Sequence, residues 1–137
     1  HTLTQREEWF EQFTRRNFPV VIAEHGSVVV GWGSLGPHQE RAGFRFTGSV
    51  AVYVVGTHRR YGIGGELVEA LLSAGRKRKI HAVVAVIDSQ NEASLKLHAK
   101  HGFTEAGVFH EVGCKFDEWR DVVYLQRLLD DRAEPVA

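Results

Sequence analysis

Val52-Tyr53-Val54-Val55-Gly56-Thr57-His58-Arg59-Arg60-Tyr61-Gly62-Ile63-Gly64-Gly65 is the stretch on which the fold of this 137-residue chain turns. Its first residues belong to a β-rich run, Ser49 to Val55, that predicts a central strand. Its last residues open the segment Gly62 to Arg78, where Ile63, Leu67, Ala70, Leu71 and Ala74 form one stripe of an amphipathic helix. Between strand and helix lies a basic, glycine-rich turn. Glycines let backbone N–H groups approach a ligand closely, and a helix N-terminus adds partial positive charge. The combination suits an anion such as phosphate or pyrophosphate. Glycines at such a turn can also serve merely to start the helix, so spacing has to discriminate. A P-loop needs Lys-Ser or Lys-Thr after its second glycine, and this chain has Gly65-Glu66. A dinucleotide fingerprint needs a third glycine where Leu67 stands. Neither fits.

Outward from this stretch the chain alternates strand and helix signals. Pro19 to Ala23 predicts a buried strand, Glu24-His25-Gly26 a turn, and Val28 to Trp32 the second strand of a hairpin. Gly36 to Arg45 has the glycine, proline and charge pattern of a loop. His81 to Ile87 is a continuous apolar run, hence a buried strand, parallel to the Ser49–Val55 strand across the helix. Asn91 to His101 predicts a shorter helix stopped by Gly102. Phe103 to Val112 and Trp119 to Leu129 predict two further strands, joined by a loop containing Cys114, Lys115 and Asp117. At the other end, Thr4 to Glu7 has the pattern of a capping box, which places a helix start at Thr4, with Trp9, Phe10 and Phe13 following at helical spacing. The basic run Arg76-Lys77-Arg78-Lys79 suits a solvated helix C-terminus. The tail from Asp130 to Ala137 is expected to lack order. The order α-β-β-β-α-β-α-β-β predicts a single α/β (α+β) domain over residues 1–137, a mixed central sheet flanked by helices.

Composition narrows the function classes. Lys and Arg balance Asp and Glu at 17 each, so no global field points to nucleic acid or to an anionic membrane. One cysteine, Cys114, rules out an internal disulfide framework and fits a reducing compartment, so the expected localisation is cytoplasmic. No apolar run approaches the ~20 residues of a membrane span, and no signal peptide is visible. The chain starts at His1 and meets a helix signal almost at once, so an upstream segment is expected.

Arg59-x-x-Gly62-x-Gly64 resembles the pyrophosphate-binding signature of the GNAT acetyltransferases. A second block agrees in order and spacing: Asn91-Glu92-Ala93-Ser94-Leu95-Lys96-Leu97-His98 followed by Gly102-Phe103. Within that superfamily the chain is similar to the phosphinothricin and methionine sulfoximine acetyltransferases. Gly31-Trp32-Gly33-Ser34-Leu35-Gly36, Val83-Val84-Ala85-Val86-Ile87, Glu111-Val112-Gly113, Lys115-Phe116 and Trp119-Arg120-Asp121-Val122-Val123 carry that similarity nearly to Leu129.

The resemblance implies a GNAT fold whose opening strand and two helices lie before His1. It also implies acetyl-CoA as cosubstrate, no metal, a small-molecule amine as acceptor, and a homodimer. Backbone groups of Val52, Tyr53 and Val54 would bind the pantetheine arm like an added strand, in a gap left where this strand splays from Val83–Ile87. The N–H near Val54 would hold the oxyanion. Arg59, Arg60, Tyr61, Gly62, Ile63, Gly64 and Gly65 would hold the pyrophosphate, mostly through main-chain N–H groups. Asn91 would bind the pantetheine amide or simply cap its helix. His98 occupies the place where many GNAT enzymes carry a tyrosine that protonates the departing thiolate, a task histidine can perform; packing between helix and sheet is the other use of such a residue.

The expected general base is missing. The family places a glutamate four residues before the tyrosine of Val-Tyr-Val, and here that position is Ser49. Arg45 and Thr47 match the family around it. Either Ser49 relays protons through water to a carboxylate elsewhere, with Glu111 and Asp121 as candidates, or the acceptor amine has a low pKa, or activity is reduced. Lys115, Phe116 and Trp119 either shape the acceptor site, across a dimer interface, or anchor a hairpin. His98 and His101 lack a third ligand, which argues against a metal site, and Cys114 has no evident catalytic partner. Two other functions remain open on the same fold: a protein or peptide N-acetyltransferase, and a catalytically weak acyl-CoA-binding sensor.

Overall fold

A computed structural model describes residues 2–5, 18–59 and 61–136 of the chain. The β-branched segments become β1 (Thr2–Gln5), β2 (Val20–His25), β3 (Val28–Pro37), β4 (Thr47–Val54), β5 (Ala82–Asp88), β6 (Thr104–Lys115) and β7 (Glu118–Leu128). The two periodic stretches become α1 (Ile63–Lys77) and α2 (Glu92–Lys100). All seven strands form one sheet in the order β1-β2-β3-β4-β5-β7-β6. Every neighbouring pair is antiparallel except β4 and β5, which run parallel and are joined through α1.

The core lies between the sheet and α1. Leu67, Val68, Leu71 and Leu72 are fully buried, each contributing roughly 1.5–3 kcal/mol relative to exposure. The helix settles closely because β3 carries glycine beneath it. A Cβ at Gly33 would lie 2.8 Å from Leu71 Cδ1, and one at Gly31 would lie 3.2 Å from Leu67 Cδ1. Val83, Ala85 and Ile87 of β5, with Val123 and Leu125 of β7, extend the same core.

Several elements depart from the sequence-based expectation. Thr4 does not start a helix: Thr2–Gln5 pairs with β2, with Thr4 opposite Ile22. Pairing against a buried strand overrides the local capping pattern. The proposed helix residues Trp9, Phe10 and Phe13 lie outside the described residues. β3 runs past Gly36, which pairs with Ser49, to Pro37, which pairs with Gly48, so the predicted loop begins later. That loop contains one 3-10 turn, Ala42–Phe44.

Cys114 and Lys115 lie within β6, paired with Trp119 and Glu118, and the hairpin turn is only Phe116 and Asp117. Both have positive φ, 53° and 60°, as a two-residue type I′ turn requires. Beyond β7, residues 130–136 carry no regular structure. Asp130 Oδ1 lies 2.7 Å from His81 Nδ1, and Arg132 donates to the Lys79 carbonyl.

Candidate active site

The sheet opens at its centre. β4 and β5 pair at Thr47↔Ala82, Gly48↔Val83 and Ser49↔Val84, and no further. Both strands continue, β4 to Val54 and β5 to Asp88, so they part beyond Ser49. From Val50 onward β4 is paired through β3 alone, and the backbone groups pointing the other way open on the gap. A cavity of about 230 Å³ occupies it, walled by Val50, Ala51 and Val52 on one side and Ala85 to Asp88 on the other. Asn91, Ser94 and His98 of the α2 segment line it as well.

At the outer end of β4 the chain turns through a 3-10 segment, Gly56–His58, before α1 begins. Arg59 Nε donates to the Val54 carbonyl at 3.4 Å, which ties the turn to the strand. Gly62 is the residue before α1 and has φ 77°, a left-handed conformation that glycine adopts without strain. A Cβ there would meet no atom within 4 Å, so this side of the turn is open. The first N–H groups of α1, from Ile63, Gly64 and Gly65, have no partner within the helix. Gly64 and Gly65 also have a packing reason to be glycine: a Cβ on Gly64 would lie 3.1 Å from Leu97 Cδ2, and one on Gly65 2.9 Å from His101 Nε2. Tyr61 is exposed beside them. Arg60 lies outside the described residues.

On α2, Asn91 accepts from the Ser94 N–H at 3.1 Å through Oδ1, so it caps the helix while lining the cavity. His98 is buried and packs edge-on to Phe103, with ring centroids 5.1 Å apart. Its Nδ1 lies 2.8 Å from the Ser94 carbonyl. A carbonyl only accepts, so Nδ1 carries the proton and Nε2 of the neutral ring keeps its lone pair. Burial pushes the His98 pKa below the usual 6.5; the Ser94 hydrogen bond raises it and nearby His101 adds to the lowering. His98 is therefore neutral at pH 7, a proton acceptor before it can be a donor.

The structure separates some residues that the sequence grouped. Ser49 sits at the vertex where β4 and β5 part, half-buried and outside the cavity wall. Glu111 and Asp121 are not part of that wall either. Asp121 accepts from the Glu111 N–H at 2.9 Å and lies 3.0 Å from His110 Nδ1, anchoring a bulge in β6. Those bonds, the Glu111 one foremost, hold its carboxyl below the usual carboxylate range. Lys115, Phe116 and Trp119 stand at the exposed tip of the β6–β7 hairpin. The acid that does line the cavity is Asp88, one residue beyond the apolar run that marked β5. Its alternation with Val86 is legible, but only the parting of the strands gives it a cavity to face. Among the described residues no three His, Cys, Asp or Glu side chains converge as a metal site, and no helix is long and apolar enough to cross a membrane.

Residues 1–103 match the acetyltransferase (GNAT) family model. The chain belongs to the GNAT acetyltransferase family. Among curated GNAT proteins it is 40% identical to the L-amino acid N-acyltransferase MnaT of Escherichia coli, over 96% of this chain and 77% of that one. It is 38% identical to the L-methionine sulfoximine/L-methionine sulfone acetyltransferase of Salmonella typhimurium, with the same coverage. A phosphinothricin N-acetyltransferase of Streptomyces viridochromogenes is 34% identical over 94% of this chain and 72% of its own length. Among solved structures, the Salmonella typhimurium acetyltransferase yncA with its cofactor acetyl-CoA superposes with a TM-score of 0.90 at 38% identity, covering 95% of this chain and 75% of that one. A ribosomal-protein-alanine N-acetyltransferase from Brucella melitensis superposes with a TM-score of 0.84 at 40% identity, over 90% and 76%.

Proposed function

We propose that this GNAT acetyltransferase transfers the acetyl group of acetyl-CoA to the amine of a small amino-acid-like molecule, in a ternary complex without a covalent enzyme intermediate. The parting of β4 from β5 is the observation that carries the reading: it leaves strand-edge groups of β4 facing a cavity, and the same strand leads on to the amide-rich start of α1. Val52, Tyr53 and Val54 offer backbone groups to the pantetheine, and Arg59 to Gly65 hold the diphosphate. A backbone N–H near Val54 stabilises the oxyanion that forms on the acetyl carbonyl. Asn91, its Oδ1 committed to the helix cap, keeps its amide N–H groups for the pantetheine.

The neutral state of His98 reshapes its role. When the amine nitrogen bonds to the acetyl carbon, it becomes positively charged and must lose a proton. His98 Nε2 takes that proton and returns it to the coenzyme A thiolate as the C–S bond breaks. The histidine ends as it began.

The named relatives support amino-acid-like acceptors; the Brucella melitensis protein's name supports a second reading, an N-terminal peptide amine. A homodimer is part of the reading, supported by exposed Phe109, Val112, Phe116 and Trp119 along β6 and β7; sedimentation velocity checks it. The compartment is cytoplasmic, in keeping with one free cysteine. Free-thiol release with L-methionine sulfone, phosphinothricin and an alanine-initiated peptide tests the function. Turnover of the amino-acid analogues supports the first reading, peptide turnover alone the second, and acetyl-CoA binding without turnover points to an acyl-CoA sensor.

A further inference from the structure

The cavity between β4 and β5 contains two ionisable side chains, Asp88 and His98. The mechanism above needs two protons to leave the acceptor, because an ammonium has no lone pair and the attacking nitrogen must shed one more after it bonds. His98 moves the second from nitrogen to sulfur. The first needs a different destination, and Ser49 is no comparable acceptor.

We propose that Asp88 binds the acceptor's ammonium group and takes its first proton. This rests on the acetyl-CoA reading and names the group that receives the amine. Asp88 ends β5, where the strand has already left β4, and its side chain is 30% exposed. Its Oδ1 accepts from the Gln90 N–H at 2.9 Å. Its Oδ2 makes an ion pair with the largely buried Arg120, 3.9 Å from Nε and beyond hydrogen-bond reach, and accepts no hydrogen bond from the described residues. One oxygen thus fixes the carboxylate while the other stays available to an N–H from the ligand. A carboxylate facing an ammonium makes a charge-assisted hydrogen bond. The proton passes from R–NH3+ to the carboxylate, leaving R–NH2 to attack, and solvent carries it away through the exposed edge. The sum is one amide, one thiol and one released proton from ammonium and thioester.

Asp88 also starts the turn into α2, through that Gln90 bond and through the Asn91 N–H on its own carbonyl at 2.9 Å. Asp88→Asn preserves the Oδ1 acceptor and removes the charge, so it separates the two roles. With L-methionine sulfone as acceptor, Asp88→Asn is expected to lower kcat/KM by about 100-fold or more, with acetyl-CoA affinity unchanged and part of the rate restored by Asp88→Glu. With methoxyamine, which is neutral at pH 7, the loss shrinks to a few-fold, a contrast that damage to the turn would not produce. Wild-type kcat/KM in Asp88→Asn, or an equal loss with both nucleophiles, overturns the role of Asp88 alone. A wild-type protein that neither binds acetyl-CoA nor releases thiol overturns the underlying reading and this role with it.

Discussion

Gly62 and His98 are the single residues on which the proposed chemistry leans most. Gly62 holds φ 77° with open space where a Cβ would go, so Gly62→Ala carries a backbone penalty and no clash. We expect it to destabilise the fold by about 1–2 kcal/mol and to weaken acetyl-CoA binding, read by urea unfolding and calorimetry. His98 has its pKa lowered, chiefly by burial. A histidine held neutral contributes full stability above 6.5, and that contribution erodes as pH falls from 6.5 toward the lowered folded value. Its ring C–H resonance should titrate with a midpoint below 6.5, and kcat/KM should keep its His98-dependent component down to that midpoint. A midpoint above 6.5 would return His98 to the role of resident acid. The resemblance led to the expectation that Gly62, Gly64 and His98 serve one site; the sequence could not show that Gly64 and Gly65 also make room for Leu97 and His101, because that contact joins two helices.

Among elements, α1 was the most legible, since Ile63, Leu67, Leu71 and Ala74 of its predicted stripe are buried, with Ala70 at the half-buried margin. Leu71 is fully buried above Gly33, so Leu71→Ala should cost about 2–5 kcal/mol, measurable by thermal unfolding. The ends of elements were less legible. β3 reaches Pro37 because β4 supplies partners to Gly36 and Pro37, and β1 forms at Thr4 because β2 is its partner; neither partner is visible in a local window. The β6 bulge between Phe109 and Gly113 is similar. It depends on Asp121 of β7, which the sequence offered as a candidate base and the structure makes an anchor. Asp121 has a lowered pKa, so the stability it adds is present above 3.8 and lost as pH falls through its lower folded value. The Glu111 amide resonance should therefore shift with a midpoint below 3.8, and Asp121→Asn should abolish that titration.

At the scale of the whole molecule, one irregularity organises the rest: two parallel strands share three paired positions and then separate. The apolar run of β5 and the β-rich run of β4 announced a parallel pair, yet where pairing stops is a property of the assembled sheet. That is why the acid Asp88 escaped the sequence and Ser49 received a role that its position at the vertex limits. In the proposed reading acetyl-CoA binds only the folded chain, so 100 Kd of it should stabilise the fold by about 2.7 kcal/mol.

Amide hydrogen exchange with and without coenzyme A tests the arrangement most directly. The account predicts new protection at Val52 and Val54 on β4 and at residues 62–65 opening α1. Protection confined to other strands, or none at saturating coenzyme A, would contradict it.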